Sequence, residues 1–187
     1  MRKIVTWLYV SLDGVIEAPE KWAPPFLNDE VGQVVASGQA AADTLLLGRR
    51  TYQEFAAYWP HQTSDVPFAD VLNNTPKLVA SRTLKAVDWQ NTTLIQGDAR
   101  DELAEWKRQP GKDMVVLGSA TLVRSLLLAG LLDELGILLF PIVLGSGKRL
   151  FENGTDQVAL KLIDSKTFGT GVVSLTYQPA VQQGAEL

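Results

Sequence analysis

Two stretches of this chain combine the residue types that could hold a charged nucleotide. The first is Leu45-Leu46-Leu47-Gly48-Arg49-Arg50-Thr51-Tyr52, and the second is Met114-Val115-Val116-Leu117-Gly118-Ser119-Ala120-Thr121-Leu122. Each runs from an apolar, strand-like segment through a glycine into an amphipathic, helix-like one. Glycine lets backbone approach a ligand closely, and the first turn of a helix offers unpaired N–H groups at the positive end of its dipole. Arg49 and Arg50 suit a phosphate, which a guanidinium grips through paired, charge-assisted hydrogen bonds. Two such junctions could hold the two ends of a dinucleotide. The competing reading of Gly48 is a tight strand-to-helix turn, with Arg49 and Arg50 as solvated surface. A third cluster, Gly145-Ser146-Gly147-Lys148-Arg149, could hold an anionic substrate group through Gly145, Gly147 and Lys148, or form a hairpin loop with a basic tip.

These residues need a framework, and hydrophobic periodicity supplies one. Lys3 to Ser11 reads as a strand, and Leu12 to Phe26, with Gly14, Pro19, Pro24 and Pro25, as a loop. Asn28 is a helix N-cap, with Asp29 and Glu30 in the first turn and Val31, Val34 and Val35 at helical spacing beside small Gly38. Strands are expected at Thr44 to Leu47, Pro76 to Ser81, Thr92 to Gln96, Asp113 to Leu117 and Asp133 to Val143. Helices are expected from Tyr52 to Trp59, Ala99 to Gln109 and Ser119 to Ala129, the last followed by Gly130 as a C-terminal cap. Val158 to Lys166 and Val172 to Gln178 read as a closing antiparallel pair. The pattern predicts one three-layer α/β domain over residues 1–178, with a mixed, mostly parallel sheet flanked by helices, and a frayed tail over 179–187.

Composition narrows the function. The 187 residues, 46% hydrophobic and 20% charged, suit a single packed core. A net charge of −4 argues against broad nucleic-acid or membrane-surface binding. There is no cysteine for thiolate chemistry, and one histidine, His61, cannot build a histidine metal site, so no metal is expected. His61 itself reads as a loop residue. Leu126 to Leu144 is very apolar, but Asp133, Glu134 and Pro141 interrupt it, so it is not a membrane span. Met1-Arg2-Lys3-Ile4 runs straight into a strand-like segment without a secretory pattern, and the expected compartment is the cytoplasm.

Taken together, five segments resemble the dihydrofolate-reductase-like superfamily, and more closely the reductase domain of the riboflavin-biosynthesis deaminase-reductase and its stand-alone relatives. They are Ser11-Leu12-Asp13-Gly14-Val15-Ile16; Leu47 to Tyr52; Lys77-Leu78-Val79-Ala80-Ser81-Arg82-Thr83-Leu84; Leu117-Gly118-Ser119-Ala120; and Gly130-Leu131-Leu132-Asp133-Glu134 followed by Pro141 to Phe151. The resemblance implies NADPH as cofactor and hydride transfer as chemistry. On that basis Gly48, Arg49, Arg50 and Thr51 meet the adenosine side and pyrophosphate. Ser81, Arg82 and Thr83 receive the ribose 2′-phosphate, and Leu117, Gly118, Ser119, Ala120, Thr121 and Leu122 form the turn under the pyrophosphate. Ile16 lies beside the nicotinamide. Ser119 stands where many relatives have a second glycine. The Rossmann fingerprint, with its ribose-binding acid, is absent. A side chain at Gly118 is expected to block the pyrophosphate more than it harms folding.

Reducing a C=N bond also needs a proton for nitrogen, which a carboxyl kept partly neutral by burial could deliver. Asp13, in the Ser-Leu-Asp-Gly turn, and Asp29, after Trp22 and two prolines, are the candidates. The competing readings are a turn-forming Asp-Gly and helix-start electrostatics. The segment around Trp22 borders the substrate in dihydrofolate reductases, which makes Trp22 a substrate-binding candidate. The expected substrate is a pteridine-like, aminopyrimidine or ribosylamine heterocycle. Alternatives are the riboflavin-pathway reductase proper, separable by complementing a riboflavin auxotroph, a non-catalytic dinucleotide sensor, and an interaction domain that binds no dinucleotide. The companion zinc deaminase is not encoded here, since its cysteine ligands are lacking. Relatives with the Glu134-to-Val143 segment are commonly dimers, which implies a two-fold homodimer.

Overall fold

Strand and helix alternate as the periodicity predicts, ending in two antiparallel strands. The structure, a computed structural model, describes residues 1–96, 98–154 and 156–180. Its elements are β1 (Ile4–Ser11), α1 (Pro19–Trp22), α2 (Asp29–Ala40), β2 (Ala42–Gly48), α3 (Arg49–Tyr58), α4 (Ala69–Asn74), β3 (Lys77–Ala80), β4 (Thr92–Ile95), α5 (Ala99–Arg108), β5 (Asp113–Gly118), α6 (Ala120–Leu128), β6 (Glu134–Phe140), β7 (Leu160–Thr167) and β8 (Val173–Pro179).

The strands form one sheet in the order β4-β3-β2-β5-β1-β6-β8-β7. The first six run parallel, while β8 pairs antiparallel with β6 and β7 with β8. Side chains alternate between two faces, as a pleated strand requires. Ile4, Leu8, Met114, Val116 and Leu135 point into a cluster with Leu103 of α5 and Leu122, Val123 and Leu126 of α6. On the other face, Val5, Leu45, Leu47 and Val115 pack with Tyr52 of α3, and Leu138 and Phe140 pack with Trp22 of α1 and Val31 of α2. The result is the expected three-layer α/β arrangement.

The expected position of Gly38 has a specific cause. Trp7 of β1 lies between two glycines: an added Cβ would come 2.9 Å from its Nε1 at Gly38 and 2.3 Å from its Cε3 at Gly136. The indole fills the space that two side chains would otherwise occupy.

Sheet topology creates the crevice. From β2 the chain moves outward to β3 and β4, whereas from β5 it leaves through α6 toward β6 on the other side. The two connections part at the C-terminal ends of adjacent strands β2 and β5, the position where open α/β sheets bind ligands.

Four local expectations change. The segment read as loop from Leu12 to Phe26 contains α1 and a 3₁₀ turn at Pro24–Phe26, because Pro19 and Pro24 stand at helix starts where their missing N–H groups cost nothing. α4 is too short for its periodicity to register. Its C-terminal end is closed by buried Lys77, whose Nζ donates to the carbonyls of Leu72 (2.8 Å), Thr75 (2.8 Å) and Asn73 (3.2 Å). β6 stops at Phe140, before Pro141. At the C-terminus β8 extends to Pro179, and the Ala180 N–H donates to the Ala159 carbonyl at 2.8 Å; residues 181–187 of the expected tail lie outside the described residues.

β7 forms one margin of the sheet and is largely exposed, including Leu162 and Ile163. Its pairing with β8 shifts register between Leu162 and Asp164. No helix among the described residues is long and apolar enough to cross a membrane.

Candidate functional site

The two glycine junctions meet each other. Leu47 and Gly118 are register partners across β2 and β5. A Cβ added at Gly48 would lie 2.7 Å from Ser119 Oγ and 3.1 Å from the Ser119 amide nitrogen, and one at Gly118 would lie 2.8 Å from Thr51 Oγ1. Gly118 also has φ +136°, a conformation that L side chains rarely adopt. The Gly118–Ser119 peptide is cis. These glycines therefore let two strand ends cross closely. This corrects the expectation for Gly118, whose added side chain would strike Thr51 and strain the backbone before obstructing any ligand.

Both junctions open into helices without side-chain caps. The N-cap residues of α3 and α6 are Gly48 and Ser119, and neither supplies a cap hydrogen bond. In α2 and α5, by contrast, Asn28 accepts from the Val31 N–H at 3.1 Å and Asp98 from the Arg100 N–H at 3.0 Å. Among the described residues, the first-turn donors of α3 and α6 thus have no side-chain cap beside the crevice.

A cavity of about 700 Å³ lies there. Gly48, Arg49 and Arg50 line it from the start of α3, Ser81, Arg82 and Thr83 from the end of β3, and Ser119, Thr121 and Leu122 from α6. Lys148 joins them from the loop after β6. The structure thus gathers most of the expected cofactor residues on one cavity. It adds Asp98, Ala99 and Arg100 from the start of α5, and Ala80, Ser125 and Leu126, none of which the sequence reading gave a ligand-binding role. The helix signal at Asp98 was legible, but its placement depends on β4 lying beside β3.

The cations differ in how they are used. Arg50 lines the cavity and is also ion-paired, on the exposed surface, with Glu54 (2.9 Å) and Glu17 (3.5 Å). Arg2 pairs with Asp43, Arg108 with Glu105, Arg124 with Glu152 (3.2 Å) and Arg149 with Asp13 (3.7 Å). Arg49 Nη1 donates to Thr83 Oγ1 at 2.9 Å.

Other expected cofactor residues lie off the cavity lining. Thr51 packs against Gly118, Ala120 is buried in the core, and Leu117 packs on the cluster beneath α3. The Ile16 N–H donates to the Lys148 carbonyl at 2.9 Å, fixing the first loop to the loop after β6.

The expected substrate residues are largely structural. Trp22 is a core residue: its Nε1 donates to the Glu17 carbonyl at 2.8 Å and its ring meets Phe140 edge-on at 5.3 Å. A Cβ at Gly147 would strike Val15 at 2.7 Å, so that glycine permits loop packing. The Gly145 N–H donates to Asp13 at 2.9 Å, which braces the same contact. Of this group only Lys148 lines the cavity.

Neither carboxylate is arranged as a proton donor. Asp13 accepts hydrogen bonds from Ser11 Oγ (2.7 Å), the Leu144 N–H (3.1 Å) and the Gly145 N–H. The Ser11 hydroxyl, then these amides, hold its pKa down to about 2, so it stays ionised. This corrects its expected role, because burial does not keep it neutral. Asp29 is exposed in the first turn of α2 and does not line the cavity. His61 is exposed in a 3₁₀ turn after α3, as its loop reading anticipates.

With this geometry in place, the chain can be set beside known proteins. Residues 2–174 match the family described as the RibD C-terminal domain. YyaP of Bacillus subtilis (strain 168), an uncharacterized protein, is 31% identical over 182 residues, covering 94% of each chain. A solved protein of Shewanella sp. PV-4 assigned to riboflavin biosynthesis superposes with a TM-score of 0.77 at 24% identity, covering 96% of this chain and 99% of that one. Dihydrofolate reductase from Enterococcus faecalis, complexed with NADP(H), superposes with a TM-score of 0.64 at 13% identity, covering 95% and 96%. At these identities the two solved structures establish a shared fold, and the dihydrofolate-reductase-like architecture implied by the sequence is borne out.

Proposed function

Because this chain belongs to the RibD C-terminal domain family, we propose that it is an NADPH-dependent reductase that transfers hydride to a C=N-type bond of a small heterocycle. Pteridine-like, aminopyrimidine and ribosylamine compounds are the substrate classes. The observation that carries the proposal is the β2/β5 crevice, where two uncapped helix starts and several arginines border one cavity. The residues present fit the cofactor. Amide donors at Gly48–Arg49 and Ser119–Ala120 would hold a pyrophosphate, and Ser81, Arg82 and Thr83 a ribose phosphate. Bound there, NADPH supplies the hydride. The chain's own contribution is to bind and orient: the Ile16 N–H bond to the Lys148 carbonyl ties the first loop to the loop that brings Lys148 to the cavity.

The test is direct. NADPH and NADH are titrated against the protein by quenching of tryptophan fluorescence, and NADPH is expected to bind at least about tenfold more tightly, the worth of one charge-assisted contact. Absence of binding by both nucleotides defeats the proposal. The engagement of Asp13 and the position of Asp29 favour a second reading, a dinucleotide sensor without catalysis. Binding without NADPH oxidation across a panel of the three substrate classes would select it.

We also infer a two-fold homodimer. The half-exposed apolar residues Ile137, Leu139, Val173, Leu175 and Tyr177 share the outer face of β6 and β8, where a second copy would cover them. Light scattering at micromolar concentration is expected to report twice the chain mass. A monomer excludes it.

A further inference from the structure

We propose that the groove between α2 and the β8–β7 side of the sheet binds a linear aliphatic polyamine, a methylene chain carrying ammonium groups at both ends. The site is separate from the nucleotide crevice and does not depend on the reductase reading.

A cavity of about 440 Å³ lies on the face of the sheet that carries α2. Its wall is one stripe of that helix, Glu30, Gln33, Val34, Ser37, Gly38 and Ala41, at the three- and four-residue spacing of a single face. At 1.5 Å per residue the stripe is about 16 Å long. Trp7 of β1 and Lys166 of β7 also line the cavity, and β6 and β8 run between those two strands as its floor.

The floor holds polar groups that the protein leaves unused. Register sets Gly136 beside Trp7, Thr176 beside Gly136 and Ser174 beside Lys166, all on one face. Ser174 and Thr176 are 4% and 6% exposed, yet neither hydroxyl has a hydrogen-bond partner among the described residues. The indole N–H of Trp7 has none among them either. Buried polar groups ordinarily find partners, so unused ones gathered on one floor point to a ligand.

Charge identifies its class. Glu30 stands at one end of the groove, and Asp113 and Glu134 stand at the other, where β5 and β6 begin. Glu30 Oε2 accepts from the Gly169 N–H at 3.1 Å, Asp113 Oδ1 from the Lys3 N–H at 3.1 Å, and Glu134 Oε1 from Lys3 Nζ at 2.7 Å. The second oxygen of each carboxylate has no partner among the described residues. The Gly169 amide and the Asn28 side chain hold the Glu30 carboxyl below its ordinary range, so it stays ionised. Three carboxylates less Lys166 leave an excess of two negative charges on the lining, of which Lys3 offsets part from outside. Between the ends lie Val5, Val34 and the Trp7 ring. A polyamine matches this order: its methylenes cover the apolar middle, and its ammonium groups donate to the carboxylates and floor hydroxyls. An ammonium over the indole gains further. A compact metal ion does not fit, since no three acidic or histidine side chains among the described residues converge to hold one.

The experiment is calorimetric titration of the full-length protein, at constant ionic strength, with spermidine, n-butylamine and Mg²⁺. Spermidine is expected to bind saturably, and n-butylamine, with one ammonium, at least about tenfold more weakly. Ser37→Lys sets a cation in the exposed middle of the wall and is expected to weaken spermidine at least about tenfold. Glu30→Gln is expected to weaken it about three- to fivefold. Asp101→Asn, an exposed carboxylate of α5 outside the groove, is expected to change nothing. Circular dichroism checks that each variant is folded. Four results each overturn the site: no saturable spermidine binding by the wild type, displacement of spermidine by an equal concentration of Mg²⁺, full affinity in folded Ser37→Lys, or the same loss in Asp101→Asn as in Glu30→Gln.

Discussion

Four helices of this protein begin in two different ways. α2 and α5 start on Asn28 and Asp98, whose side chains consume a first-turn amide within the protein. α3 and α6 start on Gly48 and Ser119, which consume none. A cap stabilises its helix by about 1 kcal/mol, so forgoing it twice at one crevice leaves local stability unused. The difference teaches where this molecule keeps its binding capacity: the capped starts serve the fold, and the uncapped ones keep donors available to an anion. Arg50, which adjoins an uncapped start, shares its charge with Glu17 and Glu54 on the exposed rim of the cavity.

Substitutions can break this comparison, beginning with the most damaging. Gly118→Val forces a side chain against Thr51 in a strained conformation and is expected to cost roughly 2–6 kcal/mol, much of a domain's stability. A folded, thermally unperturbed Gly118→Val protein that had merely lost NADPH would reverse the packing account of that glycine. Arg82→Ala is expected to weaken NADPH about tenfold or more with little effect on NADH. Equal losses would move the ribose phosphate elsewhere. Asn28→Ala and Asp98→Ala should each cost about 1 kcal/mol, lowering the melting temperature by about 2–4 °C. Ser119→Ala, at an uncapped start, should stay within about 0.5 kcal/mol of wild type. A loss at Ser119 as large as that at Asn28 would erase the distinction between the two kinds of helix start.

The smallest effect concerns the braced loop. Asp13 has a folded pKa of about 2 against an ordinary 3.8. Its contribution is therefore complete above the unfolded value and is lost as pH falls from 3.8 toward 2. Denaturation midpoints across that window should fall more steeply for wild type than for Asp13→Asn. Parallel curves would show that the Ser11, Leu144 and Gly145 contacts do not depend on the charge.

Much of the framework could be read from the chain because burial repeats with a fixed period. The strand from Lys3 to Ser11, the Asn28 cap and the two glycine junctions all lie where pattern and chemistry put them. What escaped depends on contacts between distant segments. Arg49 and Arg50 are adjacent and chemically identical, and only the helix turn between them sends one to Thr83 and the other to two carboxylates. Arg100 joins Arg49 and Arg82 only because β4 pairs beside β3. Trp22 reads as a ligand-facing aromatic in isolation, and becomes core because Phe140 arrives from β6. The antiparallel strands at the end were legible as a pair, but not the insertion of β8 between β6 and β7.

Among the described residues, that insertion leaves β7 with one unpaired hydrogen-bonding edge, the kind of surface on which foreign strands can grow. The register shift between Leu162 and Asp164 is its safeguard. A flat strand laid along Leu160 to Leu162 would fall out of step by Asp164, and further along would meet the charge of Lys166. The apolar pair Leu162 and Ile163 thus sits at the point where a templated ladder loses its register, which protects the exposed margin of the sheet against open-ended polymerisation.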